Sequence, residues 1–97
     1  MSRYIVLLNF TEQGIQNVLQ TVDRAEAFAN VVRQAGASVA EQYWAMGPHD
    51  GVMILEAPDD QVAAALLAKL GSQGNVRTQT LRLFDRTEIK SILAKAR

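Results

Sequence analysis

The sequence predicts an α+β domain: a four-stranded antiparallel sheet with helices, in the order β-α-β-β-α-β, plus one further helix at the C-terminus. Three observations predict it. Strand-length runs at 3–10, 38–46, 52–57 and 76–84 alternate with segments whose apolar residues recur at steps of three and four. Glycines fall between these segments, where turns and helix stops need them. The second and third runs are joined only by the Gly47–Gly51 turn, which makes them an antiparallel hairpin.

In the first run, Tyr4, Val6, Leu8 and Phe10 face one way, and Ile5, Leu7 and Asn9 face the other. Both faces are largely apolar, so this strand is expected at the centre of the sheet with cover on both sides. Thr11-Glu12-Gln13-Gly14 reads as a turn or a weak helical start. Ile15, Val18, Val22, Ala25, Ala29 and Val32 then form a helical stripe. With Thr21 as a fresh N-cap and Asp23 as a first-turn acid, the pattern gives a short helix, a kink and a main helix over about 22–35. Gly36 suits the position just past its end.

In the second strand, Val39, Glu41, Tyr43 and Ala45 alternate with Ala40, Gln42, Trp44 and Met46. The third, Val52 to Ala57, is again apolar on both faces and therefore central. Pro58-Asp59-Asp60 opens an alanine-rich helix that Gly71 closes, with Asp59 and Asp60 as cap and dipole partners. The fourth strand carries Arg77, Thr78, Gln79, Thr80 and Arg82, a mixed polarity that suits an edge or a wet cavity. Asp85 and Glu88 have capping-box spacing ahead of a helix striped by Ile89, Ile92, Leu93 and Ala96.

This order is the ferredoxin-like split βαβ arrangement, in one domain over residues 1–97. A chain of this size buries only roughly 60–65% of its unfolded surface. Two helices cover one face of a four-stranded sheet, yet both central strands are apolar front and back. The simplest cover for the second face is another copy of the chain, sheet on sheet about a two-fold axis. Such an interface would bury on the order of 1,600 Å² or more.

Composition excludes several function classes. Ten basic and ten acidic residues give zero net charge with no Lys/Arg cluster, which disfavours nucleic acid because phosphate neutralisation drives that binding. No helical segment approaches the ~20 apolar residues of a membrane span. Tyr4 to Leu8 is too short for a signal-peptide core. Cys is absent, which removes disulfides and thiolate catalysis. A cytoplasmic protein without cofactor is expected. One His and no Cys offer no metal-ligand spacing, no G-x-G-x-x-G occurs, and the Gly71–Asn75 loop lacks the Lys-Ser/Thr of a P-loop.

Tyr4-Ile5-Val6-Leu7-Leu8-Asn9-Phe10-Thr11, Tyr43-Trp44-Ala45-Met46-Gly47-Pro48-His49-Asp50, Glu56-Ala57-Pro58-Asp59-Asp60 and Gly74-Asn75-Val76-Arg77-Thr78 together resemble the GYD domain family, small and functionally uncharacterised bacterial and archaeal proteins. The resemblance spans nearly the whole chain. It implies the fold of the dimeric α/β barrel group, which includes cofactor-free monooxygenases, haem-degrading proteins and small isomerases. The family's signature has Tyr before the Asp, where this chain has His49. A phenol titrating near ~10 is thereby replaced by an imidazole near ~6.5.

The candidate catalytic residues are His49, Asp50, Tyr43 and Arg77. His49 could switch charge near neutral pH and Asp50 could orient it, but neighbours in a turn seldom face each other. Asp50 is better explained by bonds to backbone groups of its turn. The candidate ligand-binding residues are Asn9, Glu41, Trp44 and Gln79; of the polar and amphipathic sheet residues, Gln42 among them, those that point inward could line an apolar pocket with a few convergent polar groups. Packing at an interface explains Trp, Tyr and Arg there more simply. The leading expectation is a homodimeric binding or scaffold module, with itself as first partner and a small-molecule ligand as a further one. The alternative is a cofactor-independent enzyme of monooxygenase or isomerase type, with His49 or Tyr43 as acid/base and Arg77 steadying negative charge.

Overall fold

A computed structural model describes residues 1–97. The chain runs β1 (Ser2–Phe10), α1 (Glu12–Gln16), a 3-10 turn (Val18–Gln20), α2 (Thr21–Gln34), β2 (Ser38–Trp44), β3 (Gly51–Ala57), α3 (Asp60–Ser72), β4 (Val76–Leu83) and α4 (Arg86–Lys95). The strands pair antiparallel in the order β2-β3-β1-β4. The two strands that are apolar on both faces, β1 and β3, are the central ones, and β4 is an edge. This is the ferredoxin-like α+β arrangement.

Register sorts the side chains. Tyr4, Val6 and Leu8 stand opposite Leu55, Met53 and Gly51, while Ile5 and Leu7 stand opposite Ile54 and Val52. On the other flank Ile5, Leu7 and Asn9 pair with Leu81, Gln79 and Arg77. Directly opposed residues share a face. The first set packs with Phe28 and Val32 of α2 and Ala63 and Leu66 of α3 into a single core, in which Val6, Val32 and Leu55 retain no exposure. The second set, with Leu81 and Leu83, lies on the opposite face. Helix α4 makes few contacts with the rest of the chain. Its own Ile92 and Leu93 stay exposed, so α4 does not shield that surface.

Several local expectations are corrected. Thr21 is the first residue of α2; the N-cap is Gln20, which makes no side-chain cap bond. The Thr21 hydroxyl instead accepts from the Trp44 indole Nε1–H at 3.1 Å. Strand β2 ends at Trp44 rather than Met46, because the Ala45 N–H turns to the Asp50 carbonyl at 2.9 Å and closes the loop early. Helix α3 continues through Gly71 to Ser72; in the loop after it the left-handed backbone falls on Gly74, at φ +84°. A bulge between Val39 and Glu41 puts Val39 opposite Leu55 on the core face and Glu41 opposite Ile54 on the other. The strict alternation expected in β2 is therefore broken at Ala40.

The caps follow their chemistry. Asp59 accepts from the Val62 N–H at 2.9 Å, and Asp85 and Glu88 form a reciprocal capping box. Thr11 caps α1, and its backbone N–H donates to the Asn75 carbonyl at 3.0 Å. A Cβ on Gly14 would stand 2.0 Å from that same carbonyl oxygen, so only glycine allows α1 to sit so close to the loop before β4.

Candidate functional site

The sheet divides the candidate residues between its two faces. Asn9, Glu41, Tyr43, Arg77 and Gln79 lie on the face without helices, by register with Leu7, Ile54, Val52 and one another. Trp44 and Gln42 lie on the helix face, opposite Gly51 and Met53. No single pocket gathers the whole set.

On the open face, Asn9 organises the hairpin turn. Its Nδ2 donates to the Pro48 carbonyl at 2.8 Å, which leaves Oδ1 as the acceptor facing His49 Nδ1 at 2.8 Å. Since Oδ1 can only accept, this bond requires a proton on Nδ1 and leaves Nε2 of a neutral His49 as an acceptor. Arg77 is the cross-strand partner of Asn9. The Tyr43 phenol donates to Glu41 at 3.0 Å. That bond, then the carboxylate's charge, then slight desolvation hold the phenol above its ordinary value of 10.0. Tyr43 therefore stays protonated at neutral pH.

Asp50 points elsewhere. Its Oδ2 accepts from the Phe10 N–H at 2.8 Å, and its own N–H donates to the Leu8 carbonyl at 2.9 Å. The carboxylate thus ties the hairpin turn to the end of β1. Asp50 makes no hydrogen bond with His49.

On the helix face lies a cleft between the first turn of α2, the end of β2 and the loop before β4. It is small, with about 50 Å³ of space that the centre of a water-sized group can occupy. Its walls include Phe10, Phe28, Trp44 and Met53, with Arg24, Gln42, Asp50 and Asn75 as polar members. The Trp44–Thr21 bond braces one wall. Arg24 is the residue that sequence reasoning missed. Its Nη1 donates to the Asn17 carbonyl at 2.6 Å, while its Nη2 is buried without an acceptor. A charged donor left so is costly. The available signal was a cation at the i+3 position between Thr21 and Phe28, inside an otherwise apolar helical side.

A second polar cluster joins three elements. The Tyr4 phenol, 4% exposed, donates to Asp60 Oδ1 at 2.5 Å. Burial first and this bond second push the phenol above 10.0, against weaker opposing effects of Ser2 and Arg82. Arg82 reaches Asp60 at 3.8 Å and Glu88 at 3.3 Å and stacks over Phe84 at 4.6 Å. It thereby tethers α4 to the sheet edge. No group of three or more His, Asp or Glu side chains is placed to hold a metal ion, and no helix is long and apolar enough to cross a membrane.

Comparison with known proteins agrees with this architecture. The GYD domain family model matches residues 4–93. The chain is 34% identical over 82 residues, 84% of its own length and 86% of the relative's, to the glutamine synthetase and cystathionine beta-lyase binding protein of Thermus thermophilus. Among solved structures it is similar to TTHA0845 of Thermus thermophilus, with TM-score 0.57, 24% identity, and coverage of 88% of this chain and 95% of that one. It is also similar to the leucine response regulatory protein LrpA of Mycobacterium tuberculosis, with TM-score 0.61, 18% identity, and coverage of 87% and 51%. These two likenesses are of fold.

Proposed function

The chain belongs to the GYD domain family, and from that premise we propose that it is a homodimeric binding module whose partner is another protein. One observation supports the proposal: the sheet face on which no helix packs is apolar and only half-buried at its centre. Ile5, Leu7, Val52 and Ile54 form its middle, and Leu81 and Tyr43 at its flanks are 51% and 59% exposed. At about 25 cal/mol per Å² of apolar area, sheet-on-sheet contact with a second copy offers a large driving force. Two such sheets face to face would make the dimeric α/β barrel. The module would act in the cytoplasm.

The relative named as a binding protein for glutamine synthetase and cystathionine beta-lyase supports the choice of an enzyme as partner. Surface plasmon resonance of the immobilised chain against those two purified enzymes from its own source tests it. Saturable binding of at least one is expected. Binding of neither contradicts the partner reading.

A second reading, a cofactor-independent enzyme, is favoured by one arrangement. His49 is held by Asn9 with Nε2 available as an acceptor, and Arg77 stands across from Asn9. A base and a cation beside a pocket closed by the second copy could abstract a proton and steady the resulting anion.

A further inference from the structure

We propose that helix α4 of one copy docks on the stripe that α1 and the start of α2 present on another copy. This head-to-tail contact does not involve the bare sheet face and stands whether or not that face self-associates. Helix α4 makes few contacts with the rest of its own chain. Ile89, Ile92 and Leu93 lie on one side of it and are exposed. Around them, residues 86–97 carry four basic residues and one acid, Glu88. Glu88 pairs with Arg82 at 3.3 Å, so the charge this helix offers outward is basic.

The rest of the chain has the opposite balance, nine acidic residues against six basic over 1–85. Ile15, Val18, Leu19 and Val22 recur at helical spacing and are also exposed. Glu12, Asp23 and Glu26 flank them and face solvent. The one cation in that stretch, Arg24, is turned onto the Asn17 carbonyl at 2.6 Å. One molecule thus holds an apolar stripe edged with base and another edged with acid, complementary in both respects.

The fold keeps the two apart within a single chain. Helix α1 is held at one end of β4, where the Thr11 N–H donates to the Asn75 carbonyl at 3.0 Å. Helix α4 starts beyond the other end, after Leu83. The eight residues of β4 span roughly 26 Å, and the ten of α4 only about 15 Å. The stripes therefore meet between copies. Two different surfaces in contact make a heterologous interface, which closes as a ring or runs on as a chain. One short helix on one stripe buries less than the ~1,200 Å² of a standard interface, so the contact needs high protein concentration.

Light scattering on the full chain, from micromolar to millimolar concentration, tests this. Near millimolar, the mass is expected to reach about twice its micromolar value or more. It should fall back at about 1 M salt, where charges are screened within ~3 Å. Leu93→Asp places an acid in the α4 stripe and Leu19→Asp places one in the other. These leucines are 60% and 92% exposed, so both variants should keep the far-UV circular dichroism spectrum. Each alone is expected to hold its micromolar mass at every concentration. An equimolar mixture is expected to regain the larger mass, because each variant keeps the surface that the other lacks. A mixture that stays at the mass of its components would overturn the proposal. So would an unmutated chain whose mass does not rise with concentration, or a rise that either single variant leaves unchanged.

Discussion

Leu55 and Ile54 are neighbours in β3, both aliphatic, and they meet opposite fates. Leu55 is sealed beneath α2 and α3 with no exposure. Ile54 stands on the reverse of the same strand, opposite Ile5 and Glu41, with no helix over it. The difference is not one of hydrophobicity, since both faces of β1 and β3 are apolar. It arises because two crossover helices in this topology fall on the same side of the sheet. The helix-free face is a property of the single chain, and its apolar composition is what the proposed self-association rests on.

That contrast can be broken at either residue. Leu55→Ala removes a buried side chain and leaves a cavity, at a cost of about 2–5 kcal/mol. Thermal unfolding should shift down by at least roughly 8–10 °C, at about 4–8 °C per kcal/mol for a domain of this size. Ile54→Lys should leave the far-UV circular dichroism spectrum intact and halve the mass seen by light scattering, because it places a charge in the proposed interface without touching the core. Should the two variants behave alike, in stability and in mass, the distinction between the faces fails.

Tyr4 sharpens the picture on the covered side. Its phenol is held above its ordinary value by burial and by the Asp60 bond, so the folded state favours the neutral form. The sign follows: this contribution is fully present below pH ~10, where the unfolded chain's phenol is also neutral, and is lost as pH rises beyond that. Thermal melts from pH 9 to 12 should show a steeper decline for the unmutated protein than for Tyr4→Phe. Parallel curves would contradict it. The smallest effect is expected at the turn, where His49→Ala removes one bond to Asn9. Its stability should fall by no more than about 1 kcal/mol, with unchanged mass; a loss several-fold larger would assign His49 a structural role.

The sequence made the architecture legible because strand placement rests on hydrophobic patterning, and β1 and β3 carry that signal on both faces. It also showed the caps at Asp59 and Asp85, whose spacing is a local signal. What stayed hidden was non-local. The bulge at Ala40 has no mark in the alternation of β2, yet it decides which face Glu41 and Tyr43 occupy. Thr21 has the composition of an N-cap but spends its hydroxyl on Trp44, across from another element. Arg24 looks like an ordinary helical cation until the fold sets it against the sheet. The Tyr4–Asp60–Arg82–Glu88 cluster joins residues distant in sequence, which no local motif connects.

The central claim is that the bare face of this sheet is covered by a second copy of the same chain. Sedimentation equilibrium across nanomolar to micromolar concentration measures this directly. The account predicts a mass twice the 10.7 kDa of one chain at micromolar concentration, falling toward a single chain only on dilution. A mass of 10.7 kDa that holds throughout the micromolar range would contradict it.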